Sequence, residues 1–235
     1  MAIDWENPAT YANALIQLEE NITRDRNRCN IVVWSVANET HISDARLNFL
    51  RGLIDRAREM DNTRLVSAAL LKNTPKGTAT VEVKDPLLPY IDLVSFNQYN
   101  GWYGAGGPEL CDKIVWNLPK DKPVFISEWG GGARYGFHDP TRKAYFSEEY
   151  LEDVYTHQIA SIGRIEGLAG CSPWLLMDFR SPRRQLPGVQ DEFNRKGLVS
   201  DKGQRKLAFY VLQKWYLDMA RAEKQAAAGK PAGKK

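Results

Sequence analysis

The sequence is poor in the residues that build metal centres and disulfide frameworks. It has three cysteines and three histidines in 235 residues, and both types are scattered along the chain. Neither a C-x-x-C nor an H-E-x-x-H motif occurs, and an odd number of isolated cysteines does not predict a set of disulfides. The sequence therefore predicts no metal site and no cofactor.

Long apolar runs and a strong net charge are missing as well. No apolar run reaches the roughly 18 residues of a membrane span. The net charge is +3, and the last fifteen residues contain five Lys or Arg and one Glu, which leaves about −1 for the rest. Because residues 1–220 carry no excess of basic side chains, they do not predict a nucleic-acid-binding surface. We therefore expect neither nucleic acid nor a membrane as partner, and we interpret residues 221–235 as a disordered basic tail.

Two short apolar runs each end in a glutamate. Residues 31–36 are followed by Asn38 and Glu39, and residues 123–127 are followed directly by Glu128. Runs of β-branched and aromatic residues without polar alternation are typical of parallel strands buried on both faces. The C-terminal ends of the strands form the active-site face of a parallel barrel. Two carboxylates on one such face are what glycoside hydrolysis requires.

Strand and helix patterns alternate along the chain. Strands are predicted at residues 29–37, 64–70, 91–96, 123–127 and 170–177, and helices at 8–23, 43–60, 108–116, 147–165 and 203–219. This alternation predicts an α/β fold with a parallel sheet. A closed (β/α)8 barrel has eight strands and typically about 250 residues. The pattern therefore fits either a small open α/β domain or the later part of a barrel.

The other strand ends also carry polar and aromatic side chains. Asn97, Tyr99, Trp102 and Tyr103 follow the third predicted strand, and Trp174 lies near the end of the fifth. Aromatic rings stack on the faces of sugars, while amides and acids bond to their hydroxyl groups. These residues are therefore candidates for binding a carbohydrate.

Four motifs, in this order, resemble the catalytic barrel of glycoside hydrolase family two, which includes β-glucuronidases and β-galactosidases. They are WSVANE at 34–39, NQYNGWY at 97–103, ISEWG at 126–130 and PWLLMDF at 173–179. The resemblance extends from about residue 8 to about residue 215. It implies a (β/α)8 TIM barrel present only as its later part, strands four to eight with their helices, over residues 1–220. We therefore expect a fragment whose natural N-terminus and any signal peptide are missing, which leaves the compartment open.

The resemblance also implies residue roles in a retaining mechanism. Glu39 corresponds to the general acid/base and Glu128 to the nucleophile. Asn38 is suited to bind the sugar 2-hydroxyl, and the phenol of Tyr99 is suited to hold Glu128 ionised.

The segment containing Asn194 and Lys196 resembles the Asn-x-Lys motif with which β-glucuronidases hold the sugar carboxylate. A lysine and an amide beside an acidic sugar would form a charge-assisted pair. The alternative is a solvated basic loop, because Arg195, Lys202, Arg205 and Lys206 lie in the same stretch. The resemblance thus favours a β-glucuronidase, with a β-galactosidase, a non-catalytic carbohydrate-binding fragment or a small interaction domain as alternatives. Activity of this chain alone and homo-oligomer formation are left open.

Overall fold

The computed structural model describes residues 3–228, which fall into two compact units. Within residues 3–228, the first unit is made of 3–98, Lys113–Trp129 and Ser161–Ser172, and the second of Tyr99–Asp112, Gly130–Ala160 and 173–228. In chain order the first unit contains α1 (Pro8–Asp25), β1 (Val33–Asn38), α2 (Asp44–Met60), β2 (Leu65–Leu70), β3 (Thr80–Glu82), β4 (Val94–Gln98), β5 (Val115–Asn117), β6 (Val124–Trp129) and β7 (Leu168–Pro173).

The first unit is built on a five-stranded sheet with the order β1-β2-β4-β6-β7. Strands β1, β2, β4 and β6 are parallel to their neighbours. Helix α2 separates β1 from β2, and short 3-10 helices at Leu88–Tyr90 and Pro108–Lys113 precede β4 and β6. The predicted α/β fold is therefore confirmed. Apolar side chains on one face of the sheet are buried, among them Val66, Leu70, Val94, Phe96 and Ile126.

The opposite face of this sheet carries small polar side chains. Five serines line a cavity of about 360 Å³, together with apolar residues such as Leu93 and Phe125. The serines are Ser35, Ser67, Ser95, Ser127 and Ser172. Barrel interiors are usually filled by bulky branched residues, so this face differs from the common pattern.

Strand β1 differs from its prediction as a strand buried on both faces. Trp34 is buried, but Ser35 and Asn38 are exposed and Val33 is only partly covered. The reason is its position at the end of the sheet order, where β2 is its one neighbour in the described part of the chain. The continuous apolar run therefore predicted the strand correctly, but its prediction that both faces of the strand are buried is wrong.

The α-helices α1 and α2 of the first unit begin where the sequence predicts. The Asn7 side chain accepts a hydrogen bond from the Ala9 N–H at the start of α1, and Ser43 accepts one from the Arg46 N–H at the start of α2. Such caps satisfy backbone donors that have no partner inside the helix. The small parallel pair β3–β5 was missed, because residues 73–83 read as turns and residues 108–116 as a helix.

Asp61 joins the end of α2 to the strand that leads to Glu39. Its carboxylate accepts hydrogen bonds from Trp34 Nε1 at 3.0 Å, from the Thr63 hydroxyl at 2.6 Å and from Arg64 at 3.1 Å. Burial raises the pKa of Asp61, but the hydrogen bonds from Thr63 and Trp34 outweigh burial and lower the pKa to about 2. The charged carboxylate is therefore the form that stabilises this junction.

We expect the free energy of unfolding to depend on Asp61 in acid. Since its pKa is lower in the folded than in the unfolded chain, where it is about 4, its contribution is complete above pH 4 and is lost as the pH falls toward 2. Urea unfolding at several pH values in this range should show a shallower loss of stability for Asp61→Asn than for the wild type. Asp121→Asn, at an exposed position, is the control and should keep the wild-type slope. Equal slopes for Asp61→Asn and the wild type would contradict the assignment.

The second unit contains α3 (Glu148–Ile162), the antiparallel pair β8 (Phe179–Arg180) and β9 (Phe193–Asn194), and α4 (Leu207–Ala228). Helix α4 continues through residues 221–228, which were predicted to belong to a disordered tail. The prediction is wrong for these residues, because they extend an existing helix. Residues 229–235 lie outside the described residues. Of the helices in the described range, none is long and apolar enough to cross a membrane.

Candidate active site

The two glutamates predicted to act in catalysis follow or end parallel strands of the first unit. Glu39 comes directly after β1, and its N–H continues the sheet by donating to the Ala69 carbonyl at 2.8 Å. Glu128 lies near the C-terminal end of β6, in register with Asn97 on β4. Because these strands are parallel, both carboxylates belong to the same edge of the sheet. In a parallel barrel this edge is the active-site face.

A chain of side-chain hydrogen bonds connects the two strand ends. Ser127 Oγ donates to Asn97 Oδ1 at 2.8 Å, and Asn97 Nδ2 donates to Asn38 Oδ1 at 3.0 Å. Strands β1 and β4 are separated by β2, so a flat sheet would hold them about 9.5 Å apart. Their side chains meet because the sheet curves at this end. Asn38 and Ser127 each precede a glutamate, so the chain of bonds fixes the residues adjacent to both carboxylates.

The backbone around Glu39 is held in an uncommon conformation. Its φ is +51°, which non-glycine residues seldom adopt. The next residue, Thr40, accepts a hydrogen bond from Arg46 Nε at 3.0 Å, and Arg46 forms a 2.7 Å ion pair with Asp85. The side chains of this pair are buried. Strained residues persist where the surroundings fix them, and they cluster at functional sites.

The aromatic residues after β4 belong to the second unit, and they divide into packing and exposed residues. Trp102 is buried, and its indole stacks on the Tyr145 ring at 4.0 Å between centroids. Protein groups cover most of its ring, and its role as a carbohydrate-binding residue stays a prediction. Tyr103 and Trp174 are exposed and keep surface available for a ligand.

The predicted carboxylate-binding lysine is held above two tyrosine rings. Lys196 Nζ lies 3.8 Å from the ring centre of Tyr99 and 4.5 Å from that of Tyr103. Lys196 is 6% exposed and Asn194 is 3% exposed, so the alternative of a solvated basic loop is wrong for both. An ammonium over aromatic faces is stabilised by the ring quadrupoles. Its burial means that little water competes for an anion bound there.

Sequence reasoning missed a second buried lysine, Lys206, and its partner. Lys206 is fully buried at the start of α4 and forms a 2.8 Å ion pair with Asp178. In the sequence, Asp178 is part of the PWLLMDF motif and Lys206 is part of a basic stretch, and neither pattern indicates that the two form a pair. No local pattern distinguishes Lys206 from the exposed Lys202, because its acceptors come from distant parts of the chain.

The described residues hold no group of three or more His, Cys, Asp or Glu side chains that could bind a metal ion. The predicted site residues themselves offer carboxylates, amides, phenols, indoles and one buried ammonium.

Comparison with known proteins agrees with this chemistry. Residues 2–220 match the family model described as "Glycosyl hydrolases family 2, TIM barrel domain". A β-glucuronidase of Sus scrofa is 30% identical over 230 residues, which cover 90% of this chain and 33% of the relative. A β-glucuronidase of Paenibacillus borealis is 29% identical, covering 92% of this chain and 36% of the relative.

Solved structures of related enzymes also match most of this chain. A Bifidobacterium dentium β-glucuronidase, solved with coumarin-3-O-glucuronide, has a TM-score of 0.75 and 25% identity, over 91% of this chain and 35% of its own. A β-galacturonidase of Eisenbergiella tayi, bound to galacturonate, has a TM-score of 0.74 at 24% identity, over 91% of this chain and 38% of its own, and supports the fold alone. The chain spans about a third of the length of its relatives. With strand-end glutamates and a family match over residues 2–220, this chain belongs to the TIM-barrel domain family of the family 2 glycosyl hydrolases.

Proposed function

We propose that this chain carries the catalytic residues of a retaining, exo-acting β-glycosidase of the β-glucuronidase type. The proposal rests on one observation above all: Glu39 and Glu128 lie at the same edge of a parallel sheet, and side-chain hydrogen bonds link their neighbours Asn38 and Ser127 through Asn97. A retaining mechanism requires carboxyl groups about 5–5.5 Å apart. A sheet that curves enough for β1 and β4 side chains to meet supports such a short separation.

The two carboxyl groups would act in two steps. In the first, the Glu128 carboxylate attacks the anomeric carbon while Glu39 gives its proton to the glycosidic oxygen, so that the aglycone alcohol leaves. In the second, Glu39 takes a proton from water, the water oxygen attacks the same carbon and the bond to Glu128 breaks. Two inversions give a product with the β configuration of the substrate.

The acidic sugar is proposed from the position of Lys196. A glucuronide carries a carboxylate at C6, and the buried ammonium of Lys196 offers it a charge-assisted hydrogen bond. Asn194, also buried, accepts a bond from the Lys196 N–H at 3.1 Å and so fixes the same segment. The β-glucuronidases among the relatives support this substrate class. A β-galacturonide has the same carboxylate and is the competing acidic substrate in any test.

A mechanism-based label tests the mechanism and the sugar together. We expect 2-deoxy-2-fluoro-β-D-glucuronyl fluoride to form an ester with Glu128, which mass spectrometry of the digested protein can locate. The corresponding galactosyl reagent should react much more slowly. Labelling at another carboxylate would contradict the assigned nucleophile, and faster labelling by the galactosyl reagent would indicate a β-galactosidase. Binding of glucuronate without any label would indicate a non-catalytic carbohydrate-binding fragment.

A further inference from the structure

The fully buried ammonium of Lys206 has four acceptors. They are the Ala133 carbonyl at 2.6 Å, both Asp178 oxygens at 2.8 and 3.0 Å, and the Arg195 carbonyl at 3.1 Å. An ammonium has three N–H donors, so every donor is used. Lys206 therefore connects three segments of the second unit that are far apart in the sequence.

Asp178, the partner of Lys206, also bonds to the two residues that flank Lys196. Its Oδ1 accepts the Gly197 N–H at 2.8 Å, and its Oδ2 lies 3.4 Å from a guanidinium nitrogen of Arg195. A side chain at position 197 would not fit, because a Cβ there would be 2.2 Å from the Asp178 nitrogen. Both neighbours of Lys196 are thus bonded to the same buried pair. The Arg195 carbonyl accepts a hydrogen bond from Lys206, and the Gly197 N–H donates one to Asp178.

Stability alone does not account for the Asp178–Lys206 pair. Burial raises the pKa of Asp178 and lowers the pKa of Lys206, which means that each charge loses hydration when the chain folds. Apolar residues of similar volume often stabilise a protein as well as a buried ion pair does or better. The pair has a geometric effect that apolar residues could not reproduce, because the backbone at 195 and 197 is held by hydrogen bonds that need a side-chain donor and acceptor.

We propose that Asp178 and Lys206 are positioning residues that aim the Lys196 ammonium, so that acidic-sugar specificity depends on a buried ion pair that itself does not touch the sugar. The part concerning the sugar rests on the proposed function. The part concerning Lys196 is independent of any substrate, since the position of its ammonium over Tyr99 and Tyr103 can be observed in the free protein.

The first experiment measures the position of Lys196 by NMR. Protons held over an aromatic face are shifted upfield by its ring current, so the Lys196 ε-methylene signal of the 13C-labelled chain should lie upfield of other lysine signals. The signal is assigned by its loss in Lys196→Ala. In Lys206→Met we expect it to move to the position of solvent-exposed lysines. A signal that stays upfield in a folded Lys206→Met protein would overturn the proposal.

A matched control separates positioning from loss of stability. Arg46→Met breaks the buried pair with Asp85 in the first unit, which contacts Thr40 rather than residues 194–197. Both single variants remove the nearest basic partner of a buried acid and should lower the melting temperature, but Arg46→Met should leave the Lys196 signal upfield. If Lys206→Met does not fold, the double variant Asp178→Leu/Lys206→Met removes both charges and replaces it in the test. It should again lose the upfield signal, and retention of that signal would overturn the proposal.

A second experiment measures the sugar preference. We expect the dissociation constant for methyl β-D-glucuronide to rise at least about tenfold in the folded Lys206 variant, as is typical when the partner that orients a binding group is removed. Affinity for methyl β-D-glucoside should change little. Equal weakening of both would contradict an effect on specificity. If the wild type does not prefer the glucuronide, the acidic-sugar assignment fails, and the NMR result still decides the positioning role.

Discussion

Replacing Glu128 with alanine is expected to remove glycoside hydrolysis almost completely. Loss of a catalytic nucleophile can lower kcat by about a million-fold, because no covalent intermediate can form. Turnover of 4-nitrophenyl β-D-glucuronide measures the effect, in this chain or in a longer protein that includes it. Added azide should restore part of the turnover and give the α-glycosyl azide, since azide takes the space of the missing carboxylate and attacks once, with inversion.

Glu39→Ala provides the complementary result. Loss of a general acid/base typically lowers the rate by about 10²–10⁴-fold, and the loss should be largest for substrates whose leaving group needs a proton. Azide should now yield the β-glycosyl azide, because it acts in the second step on the intermediate bound to Glu128. Glu166→Ala, at an exposed carboxylate paired with Lys120, should retain full activity. The same azide product from both variants would contradict the assigned roles.

The second large effect concerns Lys196. Lys196→Ala should lower kcat/KM for glucuronides, since truncating one partner of a buried charge pair costs roughly 2–5 kcal/mol, or about 30- to several-thousand-fold. Hydrolysis of galactosides and glucosides, which have a hydroxymethyl group at that position, should fall far less. Lys202→Ala, an exposed lysine of the same basic stretch, is the matched control and should change neither. Equal losses on acidic and neutral sugars would mean that Lys196 is structural, and the protein would then be a neutral-sugar β-glycosidase.

The sequence predicted the strand-end glutamates because the signal is local. An apolar run followed by an acid identifies a strand and its end, and parallel pairing then brings such ends to one edge. Burial depends on neighbours that the local sequence does not reveal. Strand β1 is partly exposed because of its place in the sheet order, and Trp102 is buried because Tyr145, distant in sequence, stacks on it.

The burial of charged residues also depends on distant neighbours, as Lys196 and Lys202 of the basic stretch show. Lys196 and Lys202 have equal polarity in any sequence-based scale, yet one is buried over tyrosine rings and the other is exposed. The aromatic partners of Lys196 come from the segment after β4, almost a hundred residues earlier. Resemblance to a known motif identified Lys196. Nothing comparable identified Lys206, whose role depends entirely on acceptors from other segments.

The hydrogen bonds from Ser127 through Asn97 to Asn38 run in one direction. Each group donates toward β1, and Asn38 receives the last bond on its carbonyl oxygen. One lone pair of the Asn38 oxygen is therefore used inside the sheet, and the orientation of the amide directs its NH2 donors away from Asn97. A ligand hydroxyl that meets this NH2 group acts as acceptor, which leaves its own proton for another group. The order of donors at this edge thus begins at Ser127, beside the proposed nucleophile, and ends at Asn38 on β1, with the two strands β2 and β4 lying between them in the sheet.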